Sequence, residues 1–312
     1  MSIKIFKSYS YKELTAKFSE CFHSVGKSVF HTDYIIYQVR GSRSGLSGDL
    51  AQIKGLFGGA HFVPLFKLEE LLIKKTNISD YTPVSDSYFK FSIYKCLYNS
   101  EFVNKFPSVA SYYSGDKIKR MQLAINIAIM FNTYIEYRRS MLTSWLREDF
   151  NPKSEHEKWQ AFLWKTLLKS NSSLYEYFNQ KVSFVDMLND SKIQESIKLE
   201  FPQLFFFGIS TLSFNEAAIL QALAKITEVY LFVHSPTEEF SENKNANDFV
   251  KYLGKNGIET SKILHSYFLP EEMEFLHSEN LMPQTLLGRI QNDIIQGKKT
   301  KDFTKQSFDD SI

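Results

Sequence analysis

Five short apolar runs of strand length lie in two groups, with sequence of helical period between them. Ile3–Phe6, Tyr34–Val39 and Ala60–Leu65 form the first group; Leu204–Ile209 and Val229–Val233 form the second. Runs this apolar suit strands buried on both faces, as in parallel sheets. Helical patterns alternate with them: Tyr11–Phe22 with Leu14, Phe18 and Cys21, a segment through Leu46, Leu50 and Ile53, Lys67–Lys75, and Asn215–Ile226. Strand–helix alternation predicts an α/β unit with a mainly parallel sheet. From about Asp86 to Glu195 the pattern is helical throughout, including Asp116–Tyr137 and Glu155–Lys169. The expected organisation is an α/β lobe in two parts, 1–85 and 196–296, with a helical subdomain 86–195 inserted and a polar linker 297–312. The polar run Thr237–Asp248 reads as a loop.

Charge narrows the function classes. Lys+Arg 37 against Asp+Glu 35 leaves +2 over 312 residues, so no global field pulls the chain onto DNA or a membrane. Any nucleic-acid contact must be a local patch. Two cysteines, Cys21 and Cys96, and seven scattered histidines supply neither a disulfide framework nor zinc spacing. They are expected to be free thiols, buried or half-buried. No run approaches the ~20 apolar residues of a membrane span, and the N-terminus reads as a strand rather than a signal peptide. The expected setting is cytoplasmic, with no membrane contact.

The stretch Arg40–Asp49 carries Gly41, Gly45 and Gly48 after a strand and before a helix, where a phosphate loop would sit. A working loop reads G-x-x-x-x-G-K-[ST], and no lysine occurs between Arg40 and Gln52. A plain strand–helix turn is the expectation. The strand Leu204–Ile209 ends in Gly208-Ile209-Ser210-Thr211 without the carboxylate that would hold magnesium, and Glu216 falls a turn into the next helix. Gly208–Leu212 is not a nucleophile elbow either, and His61 reads as a core or rim residue. No catalytic residue, cofactor site or metal site is expected. The stretch 116–147 is a basic patch: Lys117, Lys119, Arg120, Arg138, Arg139 and Arg147 against Asp116 and Glu136. Its helix sets Gln122, Asn126, Thr133 and Ser140 near one face, with Tyr134 and Tyr137 as stacking surfaces, a set able to meet phosphates or bases. The same residues would also suit a plain solvated face.

Several motifs in order make the chain resemble the N-terminal part of the RecC family, the gamma subunits of RecBCD helicase–nucleases (exodeoxyribonuclease V). They include Gln38-Val-Arg-Gly41, Asp116-Lys117, Gln122-Leu123, Tyr137-Arg138, Trp159–Lys165, Phe207–Leu212, Leu220–Leu223, Leu253–Gly257 and Leu286–Ile294. The resemblance implies an inactivated superfamily-one helicase-like (P-loop NTPase-like) lobe with an inserted helical subdomain. It implies a role without ATPase chemistry of its own: DNA binding and scaffolding in double-strand-break repair and recombination, guiding single-stranded DNA beside RecB-like and RecD-like subunits. It also implies a second half beyond the linker. The family's Chi-reading positions fall at Gln38, Arg40, Ser44, Pro64, Glu70, Ile129, Met130, Asn132, Thr133 and Arg138, of which Gln38 and Arg138 keep the family's residue type. Gln38, Arg40, Ser44, Asn132, Thr133 and Arg138 are the DNA-binding candidates, with altered or absent sequence preference. The loop after Ser235-Pro236 lacks the family's aromatic-Trp-Gly run. Alternatives are a nucleotide-binding α/β enzyme, as a degenerate P-loop ATPase or a transferase, and an AddB-type subunit, which the motif order fits less well.

Overall fold

A computed structural model describes residues 2–22, 32–55, 57–76, 84–235 and 254–276. Strand β1 (Ile3–Ser8) leads into helix α1 (Tyr11–Cys21), then β2 (Asp33–Tyr37), α2 (Arg40–Lys54), β3 (Ala60–Pro64), a 3-10 turn (Leu65–Lys67) and α3 (Leu68–Lys75). Helices follow without strands: α4 (Asp86–Cys96), α5 (Ser100–Lys105), α6 (Pro107–Tyr112), α7 (Lys117–Tyr137), α8 (Arg139–Leu146), α9 (Glu155–Lys169), α10 (Ser172–Met187) and α11 (Ser191–Glu200). The sheet then resumes with β4 (Gln203–Ile209), α12 (Phe214–Ile226), β5 (Glu228–His234), α13 (Lys255–Tyr267), a second 3-10 turn (Pro270–Glu272) and β6 (Met273–Phe275).

The described residues divide into two compact units: those below 78 together with those above 187, and those from 84 to 187. In the first, six strands form one sheet in the order β3-β2-β4-β5-β1-β6, with every pairing parallel. This is the α/β architecture that the apolar runs predict. β4 is buried from Leu204 to Ile209, as a central strand covered on both faces must be. Alternate residues serve the two sides. Phe205 and Phe207 meet α1 through Phe18, with ring centroids 5.4 Å apart, and the same cluster takes in Leu46 and Leu50 of α2. Leu204 and Phe206, equally buried, point to the other side, where α12 packs on β5 and α13 on α12.

The sheet unit departs from expectation at α2. The glycine-rich stretch is no turn; it forms the first three turns of a helix beginning at Arg40. Helix propensity is a weak prior that tertiary burial overrides. Leu46 and Leu50 are fully buried, and the Tyr11 hydroxyl donates to the Ser42 carbonyl at 2.8 Å. Burial and the nearby Asp49 carboxylate push the Tyr11 phenol up to about 12, so it stays a donor. β2 also stops at Tyr37, which frees Gln38 and Val39 from the ladder.

The helical unit has its own core. Trp164 packs edge-on against Phe131 and Phe178, each with centroids 5.1 Å away, and Trp145 lies among Phe131, Tyr134 and Phe150. Both cysteines are free: Cys96 buried in this core, Cys21 half-buried on α1, and burial pushes both thiols up. The segments Thr237–Asp248, Leu286–Ile294 and 297–312 lie outside the described residues, as do Pro236 and Leu253. No described helix is long and apolar enough to cross a membrane.

Candidate nucleic-acid interface

After β2 the chain moves outward to β3, while after β4 it moves the opposite way to β5. The carboxyl ends of these two neighbours therefore part, and such a crevice is where open α/β sheets hold ligands. Here protein groups fill it. The Gln38 Nε2 donates to the Thr211 carbonyl at 2.8 Å and to Thr211 Oγ1 at 2.7 Å. Its Oε1 accepts from Ser210 N at 2.9 Å, Ser210 Oγ at 3.0 Å and Thr211 N at 3.1 Å. Two backbone N–H groups can only donate, so the amide has one orientation and no donor left over. Thr260 of α13 ties down the same loop: its hydroxyl accepts from Leu212 N at 3.1 Å and donates to Asn256 O at 2.9 Å.

Gly208 explains how close these parts come. Its φ is +67°, and a β-carbon there would sit 2.8 Å from Ser42 Oγ and 3.1 Å from Ser42 Cβ. Only glycine combines that backbone with that approach. The register shifts between Phe207 and Ile209, which aims the 210–212 loop at Gln38. Glu216, the next acid, is used as a cap. Its carboxylate accepts from Ser213 N at 2.7 Å while Glu216 N donates to Ser213 Oγ at 3.2 Å.

The structure separates Gln38 from Arg40 and Ser44 in role. Arg40 and Ser44 are exposed on successive turns of α2 and, with Tyr37, Arg43 and Ser47, line an open depression of about 630 Å³. Arg43 lies over the Phe62 ring at 5.5 Å. Two guanidiniums, three hydroxyls and no carboxylate make this depression attractive to an anion. Pro64 is half-buried at the end of β3, and Glu70 is exposed on α3. His61 is exposed on β3 with its ring 5.7 Å from Tyr34, a rim residue.

Asn132 and Thr133 belong to the helical unit, on the exposed side of α7 that also carries Gln122, Asn126 and Ile129. The Thr133 hydroxyl donates back to Ile129 O at 2.9 Å, leaving its lone pairs outward. Ser140 does not share this face, because α7 ends at Tyr137 and Ser140 lies on α8. Arg138 caps α7 and is exposed, but its neighbour Arg139 turns inward. Arg139 Nε donates to Ile135 O at 2.7 Å, another of its nitrogens donates to Lys181 O, and Glu136 pairs with it at 3.7 Å. Arg147 is held by Asp149 at 2.7 Å. The patch that sequence counting predicts is thus smaller: Lys117, Lys119 and Arg138 are exposed, and Arg147 is exposed but paired with Asp149. Among the described residues no group of three His, Cys, Asp or Glu is placed to hold a metal.

Sequence reasoning missed Ser47 and the Ser210–Thr211–Thr260 set, and took Arg43 only as a charge without phosphate-loop geometry. Arg43 and Ser47 follow from helical spacing once α2 is known to start at Arg40. The clamp required knowing that β2 and β4 are neighbours.

These features define a class: a parallel α/β sheet whose ligand crevice is closed by its own side chains, interrupted by a helical unit with a polar exposed face. Residues 3–297 match the RecC N-terminal domain family, and the chain belongs to that family. It is 22% identical over 232 residues to RecBCD enzyme subunit RecC of Buchnera aphidicola subsp. Baizongia pistaciae, covering 70% of this chain and 19% of that protein. It is 25% identical over 149 residues to RecBCD enzyme subunit RecC of Haemophilus influenzae, covering 40% and 13%. The chain therefore spans a fifth or less of the length of the curated relatives it matches.

Proposed function

We propose that this chain is a non-catalytic, DNA-guiding region of a RecBCD-type exodeoxyribonuclease V, acting beside RecB-like and RecD-like subunits in double-strand-break repair and recombination. The sheet unit is then a helicase-like lobe without ATPase chemistry, the helical unit is its inserted subdomain, and the setting is cytoplasmic. The observation that carries this reading is the Gln38 clamp. A nucleotide-binding α/β enzyme needs the crevice between β2 and β4 open, and five hydrogen bonds close it. The Arg40–Ser44 depression of the sheet unit and, separately, the Asn132–Thr133–Arg138 face of the helical unit offer phosphate and base contacts to a single strand. Of the family's Chi-reading positions, Gln38 acts here by shaping the loop at Ser210–Thr211; Pro64 and Met130 are half-buried, and the others are exposed. Any sequence preference would come from Arg40, Ser44, Asn132, Thr133 and Arg138.

Fluorescence anisotropy of a labelled single-stranded oligonucleotide, titrated at several salt concentrations with and without magnesium-ATP, tests the proposal. Expected is salt-sensitive binding indifferent to ATP, with a log–log slope of about −0.7 per phosphate contacted. ATP-dependent binding would favour the enzyme instead. In the assembled complex, alanine at Asn132 and Arg138 with DNA handling unchanged would remove these residues from the interface.

A further inference from the structure

The largest aromatic side chains of the helical unit's core are fully buried, but α4 and the turn after it carry exposed ones. Phe91 is 57% exposed and Tyr98, just beyond the end of the helix, is 71% exposed, with the exposed Lys95 between them. At 100° per residue, positions 91 and 95 fall on one side of α4, and Tyr98 follows in the turn after the helix ends at Cys96. Beside Tyr98 stands Arg120 of α7. Its guanidinium carbon lies 4.6 Å from the Tyr98 ring, 5.3 Å from Tyr113 and 5.4 Å from Tyr94. Three rings surround the cation, and its Nε is buried without a hydrogen-bond partner among the described residues. The rest of the half-exposed Arg120 side chain lines the surface as a positive charge.

Tyr98 and Arg120 line an open depression of about 530 Å³, together with Ser100 and Asn104, and no carboxylate reaches its wall. Between residues 94 and 120 the chain has five cations (Lys95, Lys105, Lys117, Lys119, Arg120) and two acids (Glu101, Asp116). We propose that this surface is a subsite for single-stranded nucleic acid, with bases stacked on Phe91 and Tyr98 and a phosphate on Arg120. An anion satisfies the arginine; only a ligand with flat apolar faces also uses the exposed rings, which favours a nucleotide strand over an acidic peptide. Seven residues separate Phe91 from Tyr98, about 10 Å along a helix, which spans about three nucleotides at the 3.4 Å spacing of one strand. Stacking tolerates any base, so this contact grips without reading sequence, unlike the polar faces described above.

The inference rests on the DNA-guiding reading, and its test separates the two. The whole chain is irradiated with a single-stranded oligonucleotide carrying 5-iodouracil, and the crosslinked peptides are located by mass spectrometry. Crosslinks are expected at Phe91 and Tyr98. Tyr98→Ala, at an exposed position that leaves the core intact, should weaken binding about fivefold or more. Arg120→Gln should lower the salt slope by about 0.7. Wild-type affinity in both variants, with crosslinks elsewhere, would overturn the subsite and leave the DNA-guiding reading standing. No binding by the wild-type chain would overturn both. Displacement of the oligonucleotide by polyglutamate as effectively as by unlabelled DNA would assign the surface to an acidic partner and sink the proposal.

Discussion

Gln38 spends both ends of its amide on a loop 172 and 173 residues away in sequence. Any effect of Gln38 on DNA would therefore be inseparable from its effect on the loop. Gln38→Ala leaves the Ser210 and Thr211 amides seeking new partners and should cost about 1–3 kcal/mol in denaturant unfolding. Asn132→Ala and Arg138→Gln, on exposed surface, should change stability by less than about 0.5 kcal/mol while weakening oligonucleotide binding in a salt-dependent way. If Gln38→Ala proves as neutral to folding as Asn132→Ala, the clamp is not holding the loop. This contrast was not legible in the sequence. Residue type and motif order bring out Gln38 and Arg138 together, but only strand adjacency shows that one faces inward to the loop and the other faces solvent.

At the scale of elements, apolar runs located β1 to β5 well because a covered parallel strand needs no polar alternation. β6, three residues at the sheet edge and half-buried, carries no such run. The start of α2 misleads for a different reason. Its glycines weaken the helix locally, while the burial of Leu46 and Leu50 and the bond from Tyr11 that hold it depend on packing against other elements. Gly48 is exposed and nothing lies within 4 Å of an added β-carbon. Gly48→Ala should raise stability by about 0.5–1 kcal/mol, read as a higher thermal midpoint; a flexible phosphate loop would show no such gain. The N-terminus of α9 gives a pH signature. Glu157 accepts from Lys153 N at 2.6 Å and Trp145 Nε1 at 3.2 Å, and these bonds hold its carboxyl below the usual 4.5. A depressed pKa stabilises the fold above the unfolded value, and that contribution is lost as pH falls through the folded one. Acid unfolding of Glu157→Gln should therefore be less steep below about pH 4.5, followed by Trp145 fluorescence.

Across the whole molecule, burial is deepest in β4, where Phe205, Phe206 and Phe207 are all fully enclosed. Native-state hydrogen exchange should find its slowest amides in β4 and β5, and exchange there as fast as in the exposed helix turns would contradict this sheet order. The order also has a consequence for the chain as it is made. β1 and β2 never touch; both depend on β4 and β5, and Gln38 waits for Thr211, 173 residues later. At about 5–20 residues per second, that interval lasts roughly ten to thirty seconds on the ribosome. During it the helical unit has emerged whole, while three apolar strands of the sheet remain without their central partners. Chains truncated before residue 203 and released should therefore carry a folded helical unit and a sticky, protease-sensitive N-terminal segment. Synthesis of β4 is the moment at which that segment becomes a sheet.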